Sequence, residues 1–373
     1  MRIAQIDIYQ VDLPVKGGVY RLSGGREYHA FDASIARVTS DDGSTGWGES
    51  TPFGSTYIAS HAKGTRAALE ILAPSIIGLD PRHHDRIQDR LEETLSGHRD
   101  ARTALDVACW DLTAKTAGVP LCDLAGGRIP GPVPIISSIG SNDPEKMRAN
   151  VRAHRNAGYS GHSIKIGANE VEGGPALDAE RLRACLADRK PGEWFLADAN
   201  NGMRPEEALR MLSLLPDGLD FVLEAPCPSL KETLSVRSRC KIPIMLDELI
   251  QTEADLIEAI ASDACDGVGL KVSKQGGITA ILRQRAIARA AGLIMSIQDT
   301  TGSEIAFAAI LHVAQSTPRK FLRCALDPRM MINASAAAFD APVKNGGVEA
   351  PSLPGLGVEP KMNVLGDPVA TYN

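Results

Sequence analysis

WFLADAN (194–200), DFVLEAP (220–226) and IPIMLDEL (242–249) decide how this chain folds. Each is a short apolar run closed by one acid: Asp198, Glu224 and Asp247. The acids stand 26 and 23 residues apart, about one strand plus one helix. Lys165 in SIKIG (163–167) lies 33 residues before the first, and Lys271 in GVGLKVSK (267–274) lies 24 after the last. A charge at the end of a buried strand costs free energy unless something compensates it. Five such charges in consecutive repeats imply a cation among the acids and two lysines facing one bound molecule.

The same alternation extends in both directions. VPIISSIG (133–140) precedes DPEKMRANVRAHRNAG, SIKIG precedes ALDAERLRACLAD, and WFLADAN precedes PEEALRMLSLL. DFVLEAP, IPIMLDEL, GVGLKVSK and LIMSIQD (293–299) each lead into another amphipathic stretch, and FLRCAL (321–326) closes the series. Eight continuous apolar strands alternating with helices predict a parallel sheet covered by helices and closed into a barrel. The seventh and eighth units are the least regular. Residues 1 to about 50 alternate in the strand manner, with DDGS (41–44) as a turn. Residues 61–125 change to helical spacing. The expected organisation is an α+β unit over 1–128, a barrel over 129–327, and a tail over 328–373 that returns to the first unit.

Composition narrows the partners. The chain has 373 residues, 43% of them hydrophobic, which supports a normal buried core. A formal net charge of −6 with no basic run argues against nucleic acid and anionic membrane as partners. No apolar stretch approaches the length of a bilayer span, and MRIAQIDIYQVDLP lacks a signal-peptide core. Seven scattered cysteines without a C-x-x-C pair read as reduced thiols in a cytoplasmic protein, with Cys109, Cys227 and Cys324 as core residues.

In such a barrel the functional groups come from the C-terminal strand ends, where all five charges fall. Three carboxylates without nearby Cys or His favour a hard cation, Mg²⁺ first and Mn²⁺ second. Coordination of a substrate carboxylate lets a proton on its α-carbon leave as an enediolate forms. A lysine serves as the base once a cation and partial burial bring its pKa down from about 10.4. Two facing lysines allow epimerisation; one lysine plus an acid allows elimination. Each charge taken alone has a plainer account. Asp198, before Asn200 and Gly202, fits a cap or turn, whereas at Glu224 Pro226 already supplies the turn. Glu248 competes with Asp247 as the ligand. Five coincidences in consecutive units outweigh these accounts. His162 and Lys274 read as supporting or surface residues, and Gly276–Gly277 as a phosphate cradle or a tight turn.

With these residues in view, the chain resembles the enolase superfamily, in its muconate lactonising and mandelate racemase-like branch, over nearly its whole length. GWGES (46–50) and ALDVACWDLTAKTAGVPLCDLAGG (104–127) look like signature segments of the first unit. DAN (198–200), LEAP (223–226), LDE (246–248) and LKVSKQGG (270–277) look like those of the barrel. The resemblance implies an α/β fold, a modified (β/α)8 TIM barrel with an α+β capping domain completed by the C-terminal tail. It implies one Mg²⁺ held by Asp198, Glu224 and Asp247, and Lys165 and Lys271 as the acid/base pair. It also implies a homo-oligomer.

Departures and further similarities refine this. Many relatives carry Lys-x-Lys on the second barrel strand, where Ser163 stands here. LIMSIQDTTGS (293–303) contains no histidine base, and FLRCALDP offers only Asp327 where dipeptide epimerases carry Asp-x-Asp. GGVYRLSGG (17–25), STPFGSTYIASH (50–61), LEAPC (223–227) and SIQDTTGSEIAFAAI (296–310) are similar to segments of dehydratases acting on cis-3-hydroxy-L-proline. That similarity implies loss of water to give Δ1-pyrroline-2-carboxylate, with 2-epimerisation of proline alongside. Tyr20 and Tyr57 would then close over a small amino acid and Asp299 would meet its ring ammonium. The alternatives are a 2-epimerase of proline, hydroxyproline or a proline betaine, and, in another class, a barrel retained for binding or structure.

Overall fold

The computed structural model describes residues 1–339 and 341–373. Its first layer grows from the alternation at the N-terminus. β1 (Ile3–Pro14) pairs antiparallel with β2 (Ala30–Ser40), and β2 with β3 (Thr45–Ser50). A register shift between Ile3 and Gln5 puts Ile3 on the same face as Ile6 and Ile8. That face packs on α1 (Ala62–Ser75), α2 (His84–Thr94) and α3 (Arg99–Ala117) through Leu69, Leu72, Leu91, Leu105 and Leu112. Tyr9, Val11 and Leu13 bury the opposite face in the main core with Phe31 and Trp47. The period-two pattern thus serves two cores at once.

The GWGES segment is steric in origin. A Cβ on Gly46 would sit 2.1 Å from the Ala108 carbonyl oxygen, and one on Gly48 2.2 Å from that of Ala104. Two glycines on the strand and alanines on the helix let β3 and α3 touch backbone to backbone. α3 is buried at fourteen positions because it lies between this sheet and the barrel. On the barrel side the Trp110 indole donates to Thr279 Oγ1 at 2.8 Å, and Thr103 Oγ1 donates to the Val272 carbonyl at 3.2 Å.

The barrel strands are β4 (Val133–Ile139), β5 (Gly161–Lys165), β6 (Trp194–Asp198), β7 (Val222–Glu224), β8 (Ile244–Leu246), β9 (Gly267–Lys271), β10 (Ile294–Gln298) and β11 (Leu322–Leu326). Each pairs parallel with the next, and β11 closes on β4. Both faces of the strands are covered, which is why they read as unbroken apolar runs. Ile136, Leu196, Met245, Cys324 and Leu326 fill the interior. Among the described residues seven helices of eight residues or more connect the strands: α4 (Pro144–Asn156), α5 (Gly174–Leu186), α6 (Pro205–Ser213), α7 (Leu230–Arg237), α8 (Glu253–Ala261), α9 (Ile278–Ala290) and α10 (Glu304–Gln315). Their starts follow the usual chemistry: the Asp143 carboxylate accepts from Lys146 N with Pro144 in the first turn, and Thr252 and Asp255 form a capping box.

The irregular end of the repeat has a structural cause. β11 is followed by a 3-10 turn, Pro328–Met330, rather than by a helix. The tail then lays Gly347–Val348 antiparallel beside β4, and its last strand, β12 (Ala370–Tyr372), joins β1 in the first sheet. All twelve residues of α10 are buried, so its surface has no polar face to mark the helical period. The seven cysteines are free thiols, all but Cys240 buried. No helix among the described residues is long and apolar enough to cross a membrane.

Candidate active site

Parallel pairing sets the site in one layer. Lys165 is the last residue of β5, directly beside Asp198, the last of β6, which is beside Glu224, the last of β7. Asp247 follows β8, and Lys271 ends β9 beside Gln298 of β10. Lysines on the second and sixth of eight strands stand across the barrel mouth from one another. Both line one cleft of about 430 Å³, counting its space open to solvent, with Asp198, Glu224, Tyr20, Tyr57 and Asp299, walled by Leu22, Phe53, Ile136, Leu196, Leu326 and Met331. All five charged groups are buried. The backbone supports this arrangement: Asn200, Asn201 and Ala225 are left-handed, with φ of 45°, 58° and 42°. For Ala225, just past Glu224, that is a strained conformation of the kind that clusters at functional sites.

Within the cleft opposite charges have closed on one another. Lys165 Nζ contacts Asp198 Oδ2. Lys271 Nζ lies 2.5 Å and Lys274 Nζ 2.6 Å from the two Asp247 oxygens. Burial works to raise Asp247, but the two ammoniums more than offset it and hold this carboxyl well below the usual range. Among the described residues Glu224 has no such partner, only Gln298 Nε2 at 3.4 Å, and burial together with the Asp198 and Asp247 charges pushes it well up. Burial and Asp247 likewise raise Glu248. Burial pulls both site lysines down, yet Asp198 for Lys165 and Asp247 for Lys271 leave them above the ordinary lysine range. Burial acts on both lysines in the expected direction, but with each ammonium against a carboxylate burial alone does not bring them down; the expected lowering calls for the cation as well. Lys274, fully enclosed, is the one that burial does lower.

The three acids do not converge here on a common point. Among the described residues no group of three His, Cys, Asp or Glu side chains gathers tightly enough to hold a metal ion as it stands. Three carboxylates in one buried layer repel, and Asp198 and Asp247 turn to the lysines instead. The donor set nevertheless fits a hard divalent cation. Four buried carboxylates, counting Glu248, face three ammoniums, and Glu248 Oε2 is buried without a hydrogen-bond partner. All ligand atoms offered are oxygen.

The other sequence-derived residues fall as follows. Tyr57 OH contacts Lys271 Nζ and donates to Asp247 Oδ2 at 3.1 Å, with its ring 4.7 Å from that ammonium. Tyr20 OH and Ser138 Oγ are 2.6 Å apart. Asp299 lines the cleft, and burial pushes its carboxyl up to about 6; it already accepts from the Thr300 N–H at 2.7 Å and from Ser273. Lys274 is no surface group: its ammonium donates to Asp247 Oδ1 and to the Asp247 and Gly269 carbonyls. His162 is neither at the surface nor near the site. It is buried against Phe195 on the outside of the barrel, bonded to Ser137 Oγ at 3.0 Å. Gly276–Gly277 form a tight turn, and a Cβ on Gly277 would strike Asp106 Oδ2 at 2.3 Å. Sequence reasoning missed Ser23, Asn200, Gln298 and Ser138. Asn200 carried a signal, its place two residues after Asp198; the other three meet the site only through folding.

Comparison with known proteins finds relatives over the whole chain. Residues 28–126 match the model of the mandelate racemase/muconate lactonizing enzyme N-terminal domain, and residues 146–364 that of the enolase C-terminal domain-like family. A crystal structure of a protein of the mandelate racemase/muconate lactonizing enzyme type from Roseovarius nubinhibens ISM, complexed with magnesium, is 69% identical with a TM-score of 0.99, each chain covered completely. Cis-3-hydroxy-L-proline dehydratase of Roseibium aggregatum is 36% identical over 373 residues, 100% of both chains. N-succinyl-L-Arg/Lys racemase of Bacillus cereus is 28% identical over 85% of each chain.

Proposed function

Because this chain belongs to the mandelate racemase/muconate lactonizing enzyme family of the enolase superfamily, and is thus an enzyme, we propose that it is a Mg²⁺-dependent dehydratase converting cis-3-hydroxy-L-proline to Δ1-pyrroline-2-carboxylate. The observation that carries the reading is a pair of buried ammoniums on opposite strands of one cleft that Asp198 and Glu224 also line, with buried Asp247 against the Lys271 ammonium. Full-length similarity to a cis-3-hydroxy-L-proline dehydratase supports the substrate.

Asp198, Glu224 and Asp247 would hold the Mg²⁺. When bound, the ion supplies positive charge that stabilises the anion developing on the substrate carboxylate and loosens the acids' hold on both lysines. Lys165 and Lys271 face C2 from opposite sides, and whichever meets the C2 hydrogen of the L substrate removes it. The C2–H and C3–O bonds break, the electron pair forms a C2=C3 double bond, the 3-hydroxyl takes a proton from the opposing acid, and water leaves. The resulting enamine tautomerises to the imine, so no oxidant is required. Leu22, Phe53 and Leu326 suit a small apolar ring, Tyr20 and Tyr57 roof it, and Asp299 meets its ring ammonium.

A second reading, 2-epimerisation of proline, hydroxyproline or a proline betaine, is favoured by the same two-sided lysine arrangement. Incubation with cis-3-hydroxy-L-proline and Mg²⁺, following the imine, tests the first. Exchange of the C2 hydrogen of L- and D-proline in deuterated water tests the second. Exchange or inversion without imine makes the enzyme an epimerase; absence of both overturns each reading.

A further inference from the structure

The capping unit reaches the barrel mouth at one unusually close point. Ser23, in the turn after the Tyr20–Leu22 strand, is fully buried although it lies in a connecting segment. Its slot is made by glycines: a Cβ on Gly167 would come within 3.2 Å of the Ser23 Cβ, and Gly24 N donates to the Gly167 carbonyl at 2.9 Å. The single hydrogen of the Ser23 hydroxyl is shared between Asn200 Oδ1 at 3.2 Å and the Asp198 carbonyl at 3.4 Å.

Asn200 passes this contact on. Its Nδ2 donates to Asp198 Oδ2 and to Glu248 Oε1, both at 3.0 Å, and its backbone N–H donates to Asp198 Oδ1 at 2.9 Å. Both oxygens of Asp198 are therefore held by Asn200. The amide cannot turn over, because that would put Oδ1 against two carboxylates and leave the Ser23 hydroxyl facing a donor. Arg26 adds a second grip. Its guanidinium donates to the Ser23 carbonyl at 2.8 Å, to the Thr56 carbonyl at 3.0 Å and to the Asn200 carbonyl at 3.3 Å. One side chain thus ties the Ser23 turn, the loop that carries Tyr57, and the end of β6.

We infer that Ser23 and Arg26 are positioning residues for the cation site, orienting Asp198 through Asn200, so that the barrel's grip on a divalent ion depends on the seated cap turn. The inference rests on the reading of Asp198 as a metal ligand. Groups that orient a ligand without touching the ion typically change its affinity by about 10–100-fold.

The test is calorimetric titration of the full-length protein with MgCl2, without substrate. Ser23→Ala is expected to weaken Mg²⁺ binding about tenfold, with Ser23→Thr restoring most of it. Arg26→Gln should weaken it in the same direction and serves if Ser23→Ala does not fold. Arg21→Ala removes the exposed pair with Glu27 in the same hairpin and should leave the affinity unchanged. A Ser23→Ala protein that melts earlier without metal, yet binds Mg²⁺ as tightly as the wild type, overturns the inference and leaves the proposed function standing. A wild-type protein that binds no Mg²⁺ overturns both.

Discussion

The two site lysines are equivalent in the proposed chemistry but unequal in the structure, and replacing each by alanine exposes the difference. Among the described residues Lys165 is the only cation paired with Asp198. Removing it leaves a buried carboxylate with only the two Asn200 donors, at 2.9 and 3.0 Å. Stripping one partner from a buried pair costs about 3–5 kcal/mol. Lys271 shares Asp247 with Lys274, which stays at 2.6 Å, and with Tyr57 at 3.1 Å. Its loss removes one charged hydrogen bond of several, about 1.5–3 kcal/mol at most. With an unfolding entropy of about 2.1 cal/mol/K per residue, a chain of 373 residues loses roughly 1 °C in Tm for each 0.8 kcal/mol. Lys165→Ala should therefore melt about 4–6 °C below the wild type without Mg²⁺, and Lys271→Ala about 2–4 °C at most. Saturating Mg²⁺ should narrow the gap, because the ion takes over the charge that Asp198 has lost. Both variants should lose about 10²–10⁴-fold in C2 hydrogen exchange from at least one proline enantiomer, the share of a general base. Differential scanning fluorimetry with and without chelator, beside exchange followed by NMR, reads both quantities. Equal melting losses refute the electrostatic reasoning; full exchange in both variants refutes the acid/base assignment.

Three further outcomes follow from the same structure. Gly48→Ala places a methyl 2.2 Å from the Ala104 carbonyl oxygen and 2.7 Å from Ala108 N, both backbone atoms, so it should cost at least about 1–3 kcal/mol. A urea midpoint equal to wild type would contradict the close strand–helix contact. His312 is fully buried, accepts from Cys122 N at 3.1 Å, and its Nε2 meets the Leu356 carbonyl at 3.1 Å, with burial pushing its pKa down to about 4. A lowered histidine is neutral in the fold, so its contribution is complete above the unfolded value of about 6.5 and is lost as pH falls toward 4, roughly 3 kcal/mol in all. His312→Gln should flatten that part of the stability–pH curve in urea titrations, and an unchanged slope counts against it. Finally, Mg²⁺ at 100 times its dissociation constant should stabilise the wild type by about 2.7 kcal/mol. Because burial, and after it the neighbouring acids, raise Glu224, binding should release protons and tighten as pH rises, visible as a buffer-dependent heat of binding.

Much of this architecture was legible in the chain because parallel strands buried on both faces must be continuously apolar. A charge at the end of one therefore stands out, as Asp198, Glu224 and Lys165 do. The regular spacing carried them to one layer without any knowledge of side-chain contacts. The pattern leaves Lys274 open between a supporting and a surface role for a reason of the same kind: three residues past a strand it looks solvated, and the turn back over Asp247 decides for the supporting role. His162 alternates outward from the barrel wall, so its burial comes from the helix layer, which local pattern does not register. The pattern ends the repeat at FLRCAL and sends the tail back to the first unit, but not to particular strands, because its pairings with β4 and β1 are remote in sequence.

By itself the sequence determined the barrel, the strands that carry charge, and the chemistry those charges allow, because periodicity and burial cost are local properties of the chain. Only the tertiary structure decided which charge neutralises which. Among the described residues it paired Asp198 with Lys165 alone, gave Asp247 two lysines, left Glu224 and Glu248 without cations, and brought Ser23 against Asn200 from a different layer. Such pairings depend on distances of a few ångströms between residues far apart in the chain, and Coulomb energies in a buried site change steeply over that range.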